Sequence, residues 1–278
     1  EYKSQNEVWL ETKNDSLQFF KNGKNNLIKN TYGRVELTKR VRPFINIFAG
    51  LEIDKAVLDS SVATTDYFLN NANNQFHYGI DFKAEFDTRD NIYYPTKGNF
   101  YQPKVSLQQW TNTSTESNLK LELKLQKFNQ LSKKWFSAVS VYGNYSTQEK
   151  LPYSLRQMFG YDEIIRGFEN YVVDGNSAYK YNVSAKYHLL DKSDLKLNFI
   201  PIENYKVLPF NLYAEIFTEG GQVNYNTPDL SNQLVNTFLY SGGLGINALF
   251  YNDRLLRLEY SLNSLQEGGF FVHFKKAI

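Results

Sequence analysis

The sequence predicts an all-β protein: a transmembrane, antiparallel, up-and-down β-barrel with about twelve strands in this chain. Three observations predict it. Apolar and polar side chains alternate with period two in segment after segment, the mark of strands with one face in each medium. No segment approaches the roughly 18 consecutive apolar residues of a membrane helix, so spanning falls to strands, which must close their hydrogen bonds in a barrel. The connections between segments alternate between short and long.

The composition agrees with this class. Charged residues are 22% of the 278 and the mean hydropathy is −0.50, ordinary for a water-exposed chain. Aromatics nevertheless reach 16%, with 21 Tyr and 21 Phe, as the interfacial girdles of a barrel require. There is no cysteine, which excludes disulfides and thiolate metal sites. The net charge of +2, with both signs interspersed, gives no basis for a nucleic-acid partner. The chain opens on Glu1-Tyr2-Lys3-Ser4 without a basic and then apolar leader, as expected of a mature form or a fragment.

In chain order, strands are expected near 3 to 13, 31 to 41, 44 to 56, 75 to 88, 98 to 111, 118 to 129, 135 to 147, 178 to 190, 208 to 219, 235 to 250, 254 to 263 and 269 to 277. Four show the alternation best. Phe76, Tyr78, Ile80, Phe82, Ala84 and Phe86 alternate with His77, Gly79, Asp81, Lys83, Glu85 and Asp87. Leu119, Leu121, Leu123 and Leu125 alternate with Lys120, Glu122, Lys124 and Gln126. Tyr179, Tyr181, Val183, Ala185, Tyr187 and Leu189 face away from Lys180, Asn182, Ser184, Lys186 and His188. Leu256, Leu258, Tyr260 and Leu262 oppose Arg257, Glu259, Ser261 and Asn263. Several strands reach ten residues or more, the length a tilted membrane strand needs and more than a soluble sandwich uses. The apolar set is assigned to lipid and the charged set to a wet lumen, because a Lys or Arg on the lipid face at mid-bilayer costs about 2–4 kcal/mol.

Short connections are read near Arg42-Pro43, at 91 to 97, at Ser132-Lys133-Lys134 and around Asn252-Asp253, with a longer member of that set at about 191 to 208. The opposite set lies at roughly 14 to 30, 57 to 74, 111 to 117, 147 to 177 and 220 to 234. Short turns belong to the periplasmic side, which puts both chain ends there.

Two stretches exceed barrel physics. Phe86-Asp87-Thr88-Arg89-Asp90-Asn91 leads into Tyr94-Pro95-Thr96-Lys97-Gly98, where Pro95 fixes φ and Gly98 permits a positive φ, making a rigid turn. In the longest loop, Phe159-Gly160 precedes Ile165-Arg166-Gly167-Phe168 and then Asp174-Gly175-Asn176. Together they resemble the BamA/TamA family of outer-membrane assembly and translocation barrels, over most of the chain from about residue 75 onward. The resemblance implies that the loop folds back into the lumen and that Arg166 meets acidic groups on the wall. A partly dehydrated guanidinium needs a carboxylate partner and takes it bidentately. Glu219, in Phe217-Thr218-Glu219-Gly220-Gly221, matches the family's acid and is the first candidate. Lys186 stands where many relatives carry a second acid, which leaves the rest of the arginine's partner set open.

Family barrels have sixteen strands, and these landmarks place the start of this chain at the fifth. The expectation is a single barrel domain over 1–278 without the first strands and the upstream periplasmic domains, either part of a longer protein or a shortened member that closes with twelve strands. The implied localisation is the bacterial outer membrane, and the implied partners are its lipid, unfolded outer-membrane clients or a passenger polypeptide, and accessory periplasmic or outer-membrane proteins. The last strand, with Phe270, Val272 and Phe274, would be one edge of a gate that templates incoming strands. Two alternatives remain at this stage: a C-terminal anchor or export barrel for an upstream soluble enzyme, and a passive pore. No catalytic motif, nucleotide loop or cofactor site is read in the sequence. His77, His188 and His273 fall in separate strands without metal-site spacing or a nearby acidic cluster, so no metal is expected.

Overall fold

The computed structural model describes residues 2–23, 25–62, 67–111, 115–196, 207–228, 231–251 and 253–276. Its strands are β1 (Tyr2–Gln5), β2 (Glu7–Lys13), β3 (Ser16–Lys21), β4 (Ile28–Arg42), β5 (Ile45–Leu58), β6 (Asn74–Asp87), β7 (Gly98–Thr111), β8 (Thr115–Gln130), β9 (Trp135–Ser146), β10 (Gln157–Phe159), β11 (Val173–Asp174), β12 (Ser177–Lys196), β13 (Val207–Asn224), β14 (Leu239–Phe250), β15 (Arg254–Asn263) and β16 (Gly268–Lys276). Twelve of them form one antiparallel sheet in the order β1-β4-β5-β6-β7-β8-β9-β12-β13-β14-β15-β16. Neighbours in the sheet are neighbours in sequence, apart from the inserted pairs β2-β3 and β10-β11, so this is the predicted up-and-down meander.

The sheet is not closed: among the described residues no pairing joins β1 to β16. It is nevertheless strongly curved, since Tyr94 in the β6–β7 turn reaches Asn247 of β14 across the interior. The alternation explains the curvature's sense. Phe82, Leu107, Leu121, Val141, Val183, Ile216, Leu244 and Leu258 are exposed on the convex face, whereas Asp81, Ser106, Asn144, Ser184, Glu215, Asn247 and Glu259 are buried on the concave one. Apolar outside and polar inside is the arrangement of a barrel wall in lipid.

The N-terminal strand departs from expectation. Instead of one strand over 3 to 13, β1 pairs with β4 for four residues, from Tyr2↔Thr31 to Gln5↔Ile28. The chain then leaves the sheet, and β2 and β3 form a hairpin of their own. Its turn is Asn14-Asp15, with φ of 51° and 53°. Two left-handed residues between paired strands suit the right-handed strand twist, and Asn and Asp tolerate that region.

Other boundaries shift too. β8 begins at Thr115, three residues before the predicted start at 118, and β13 runs on to Asn224 while β14 begins at Leu239, so the loop expected at 220 to 234 lies between 225 and 238. β12 extends to Lys196, past the expected end at 190, and the rest of the connection expected at 191 to 208 lies mostly outside the described residues.

Candidate functional site in the barrel interior

The connection between β9 and β12 enters the concave side of the sheet. Ile165 and Phe168 are buried in a cluster with Met158, Phe159, Val173, Val223 and Leu239, which holds this loop against β13 and β14. The loop turns sharply between them: the Phe168 N–H donates to Ile165 O at 3.0 Å, and Gly167 has φ 89°. That φ favours glycine, and an added Cβ would come within 3.2 Å of Ser261 Oγ and 3.3 Å of Ser241 Cβ on the wall. Asn263 Nδ2 donates to Gly167 O at 2.8 Å, fixing the turn to the end of β15.

This anchoring aims Arg166 at the wall. Its Nε donates to Glu219 Oε1 at 2.7 Å and its backbone N–H to Glu219 Oε2 at 3.1 Å. Nη1 lies 3.5 Å from both Glu215 Oε1 and Glu259 Oε2. The guanidinium also stacks 3.4 Å from the centroid of Phe217, whose ring packs over Gly243, where any Cβ would lie 2.7 Å from it. Asn182 Nδ2 donates to Glu219 Oε1 at 2.7 Å, holding the carboxylate from the β12 side. Burial opposes the charge on Arg166, but Glu219, Glu215 and Glu259 outweigh it and raise the guanidinium's pKa.

Sequence reasoning singled out Glu219 but left Glu215 unremarked and placed Glu259 only as a generic lumen carboxylate. A signal was present for Glu215: four residues before Glu219 on one strand, it shares its face. Lys186 is the register partner of Glu215 and sets its ammonium 4.1 Å from the Tyr94 ring centroid, so it belongs to the same group. The second acid is therefore supplied from β13 and β15.

One turn further along the loop, Glu169 Oε2 accepts the Gly167 N–H at 2.7 Å. Burial lifts the Glu169 carboxyl to about 7; its own and Gly167's backbone N–H groups oppose this, and the charges of Glu259 and Glu219 add to it. His273 Nε2 of β16 lies 3.1 Å from Glu259 Oε1 and 3.7 Å from Glu169 Oε1. The expectation that no histidine has acidic neighbours therefore fails for His273. Its neighbours come from 14 residues upstream on the adjacent strand and from the loop, a juxtaposition that spacing does not reveal.

The turn motif between β6 and β7 sits at the opposite end of the interior. Arg89 grips Asp87 through Nε to Oδ1 at 2.9 Å and Nη2 to Oδ2 at 2.6 Å, and stacks on Phe100 at 4.2 Å. Asp90 Oδ1 accepts the backbone N–H groups of Asn91, Thr96 and Lys97 at 2.9–3.1 Å, closing the turn around Pro95. Gly98 has φ 109°, and a Cβ there would lie 2.2 Å from Thr88 O. The turn thereby presents Tyr94 inward, 3% exposed, against Phe136, Tyr213, Leu249 and Leu255, with its hydroxyl accepting from Asn247 Nδ2 at 3.2 Å. Asn247 in turn donates to Glu215 Oε2 at 2.6 Å, linking the two motifs through one side chain.

At the sheet's end, Phe270, Val272 and Phe274 are 86%, 68% and 64% exposed. β16 pairs with β15 on one edge, and on the other has no partner among the described residues.

Solved structures with this architecture include BamA from Haemophilus ducreyi lacking POTRA domains 1–3, with a TM-score of 0.62 and 13% identity over 90% of this chain and 55% of that one. CdiB from Escherichia coli is similar at a TM-score of 0.58, with 8% identity over 89% of this chain and 44% of that one. CdiB from Acinetobacter baumannii follows at 0.55 and 11%, over 89% of this chain and 41% of that one. At these identities the likeness concerns the fold, and the chain spans about half the length of the solved relatives it matches. No curated protein matches the sequence. Residues 5–249, however, match the Omp85 superfamily domain, and this shows that the chain is a bacterial outer-membrane protein that belongs to the Omp85 superfamily.

Proposed function

We propose that this chain is the barrel part of a device that assists insertion of outer-membrane proteins or translocation of a polypeptide, without catalysis and without a cofactor. The observation that carries the reading is the final strand. β16 is the last strand of the sheet, beside the wall segment that Arg166 braces; among the described residues it pairs with β15 alone, and its outward residues Phe270, Val272 and Phe274 are apolar. An unpaired edge is a template for another strand, and main-chain hydrogen bonds supply the affinity. Arg166, through Glu219, Glu215 and Glu259, keeps β13 and β15 in fixed relation to the loop, so that the edge is presented by a rigid wall.

Clients are then unfolded outer-membrane proteins or a passenger polypeptide, with lipid as the surrounding medium and accessory periplasmic or outer-membrane proteins as further partners. The test is site-specific photo-crosslinking from position 271 on β16 in cells producing a nascent outer-membrane protein. Crosslinks to the client's strands that disappear when assembly is complete are expected. Arg166→Ala should lower client assembly while the barrel itself still inserts. Absence of client crosslinks from β16, together with normal client assembly in the Arg166→Ala variant, overturns the reading.

A further inference from the structure

We propose that Glu169, Glu259 and His273 form a binding site for a divalent transition-metal ion that fastens the last strand to the interior loop. The three donors come from the β9–β12 loop, β15 and β16, and their ligand atoms all lie within 4.8 Å of one another. Zinc bound by imidazole and carboxylate at about 2.0–2.1 Å in tetrahedral geometry sets neighbouring donors about 3.3–3.4 Å apart. His273 Nε2 stands 3.1 Å from Glu259 Oε1 and 3.7 Å from Glu169 Oε1, on either side of that spacing.

A second observation points to a cation rather than a simple ionic contact. Glu259 is 3% exposed, yet among the described residues its Oε2 has no hydrogen bond, only ionic contacts with Arg166 Nη1 at 3.5 Å and Arg257 Nε at 3.9 Å; the buried Oε1 of Glu169 also lacks a hydrogen bond, with His273 Nε2 3.7 Å away. Buried polar atoms are ordinarily hydrogen-bonded, and a carboxylate oxygen without a hydrogen bond is costly.

The donor set selects the ion. An imidazole nitrogen with two carboxylates suits zinc and its neighbours in the transition series, whereas calcium and magnesium take oxygen-rich shells. Arg166, 3.5 Å from Glu259 Oε2, would hold that carboxylate from outside, the outer-shell support typical of metal sites. Access is through a cavity of about 390 Å³ that both Glu169 and His273 line. A bound ion would tie β16 to the loop, and under the function proposed above it would restrain the free edge. The binding claim itself does not depend on that reading.

The experiment is a zinc titration of the purified, detergent-solubilised protein against a chromophoric chelator at neutral pH, with no client present. One Zn²⁺ per chain is expected. Glu169→Gln and His273→Ala should each weaken binding by roughly tenfold or more, as even outer-shell changes do at metal sites. His77→Ala, a histidine elsewhere on the wall, should leave it unchanged. Cobalt in place of zinc should give the visible absorption of a low-coordinate nitrogen and oxygen site. Should His273→Ala fail to fold, as judged by heat-modifiable migration, the isosteric Glu169→Gln decides alone. No stoichiometric binding in the unmodified protein, or equal binding in folded Glu169→Gln, overturns the site.

Discussion

Removing the arginine that joins the interior loop to the wall should loosen the loop before it unfolds the barrel. Arg166→Ala deletes the 2.7 Å bond to Glu219 and the 3.5 Å contacts to Glu215 and Glu259, and leaves three carboxylates crowded on one wall segment. Removing one partner of a buried ion pair costs about 3–5 kcal/mol, and the stacking on Phe217 adds about 2 kcal/mol where it is desolvated. Arg257, 3.9 Å from Glu259, and Lys186, opposite Glu215, remain and compensate part of this, so the expected loss is at the low end, about 3 kcal/mol. Arg166→Lys keeps the charge but cannot reach two carboxylates in a planar fork, and should fall between. The assay is urea unfolding in detergent micelles, followed by heat-modifiable migration, with limited proteolysis of the 147–176 loop in parallel. Arg166→Ala should expose the loop to protease at urea concentrations where the strands remain intact. Glu219→Gln in the same background should cost less than it does alone, since the pair is coupled. A loss in Arg166→Ala within about 0.5 kcal/mol, the scatter of ordinary surface changes, with the loop still protected, would refute the anchoring argument.

Further outcomes are expected at other points of the structure. Gly98→Ala should destabilise the β6–β7 turn by about 1–3 kcal/mol, because φ is 109° and the new Cβ would lie 2.2 Å from Thr88 O; unchanged urea unfolding would contradict this. Val141→Arg, outward at the middle of β9, should cost about 2–4 kcal/mol in folding into lipid vesicles, whereas Ser140→Arg, facing the interior cavity, should be tolerated; the reverse order would invert the assignment of faces. Asp15→Ala removes the acceptor for the N–H groups of Gln233 and Leu234 at 3.1 and 3.0 Å, and should make the β2–β3 hairpin and the 225–238 loop more sensitive to protease without altering the sheet. Glu163 is partly buried, which opposes its charge, but Lys180 and Lys124 hold its carboxyl below its ordinary 4.5; its stabilising share is therefore present above pH 4.5 and lost as pH falls through the lower folded value, which an acid titration of loop protection against Glu163→Gln would read.

The sequence by itself determined the wall. Period-two alternation is a local property, and the medium on each side enforces it residue by residue, so Leu121 against Glu122 or Leu258 against Glu259 declares its face without reference to the rest of the chain. β7 and β15 fall on their predicted bounds for that reason. The hairpin at Asn14-Asp15 carried a local signal as well, since Asn and Asp in sequence suit two left-handed residues, but the alternation on either side of it masked the turn. Only the tertiary structure decided what meets in the interior. Glu215, Glu219, Glu259, Glu169 and His273 lie on the loop and three strands separated by up to about a hundred residues, and curvature brings the first three to Arg166 and His273 to Glu259 and Glu169. Parity says that a side chain faces inward; how far the sheet curls and how deep the loop descends decide which inward side chains touch.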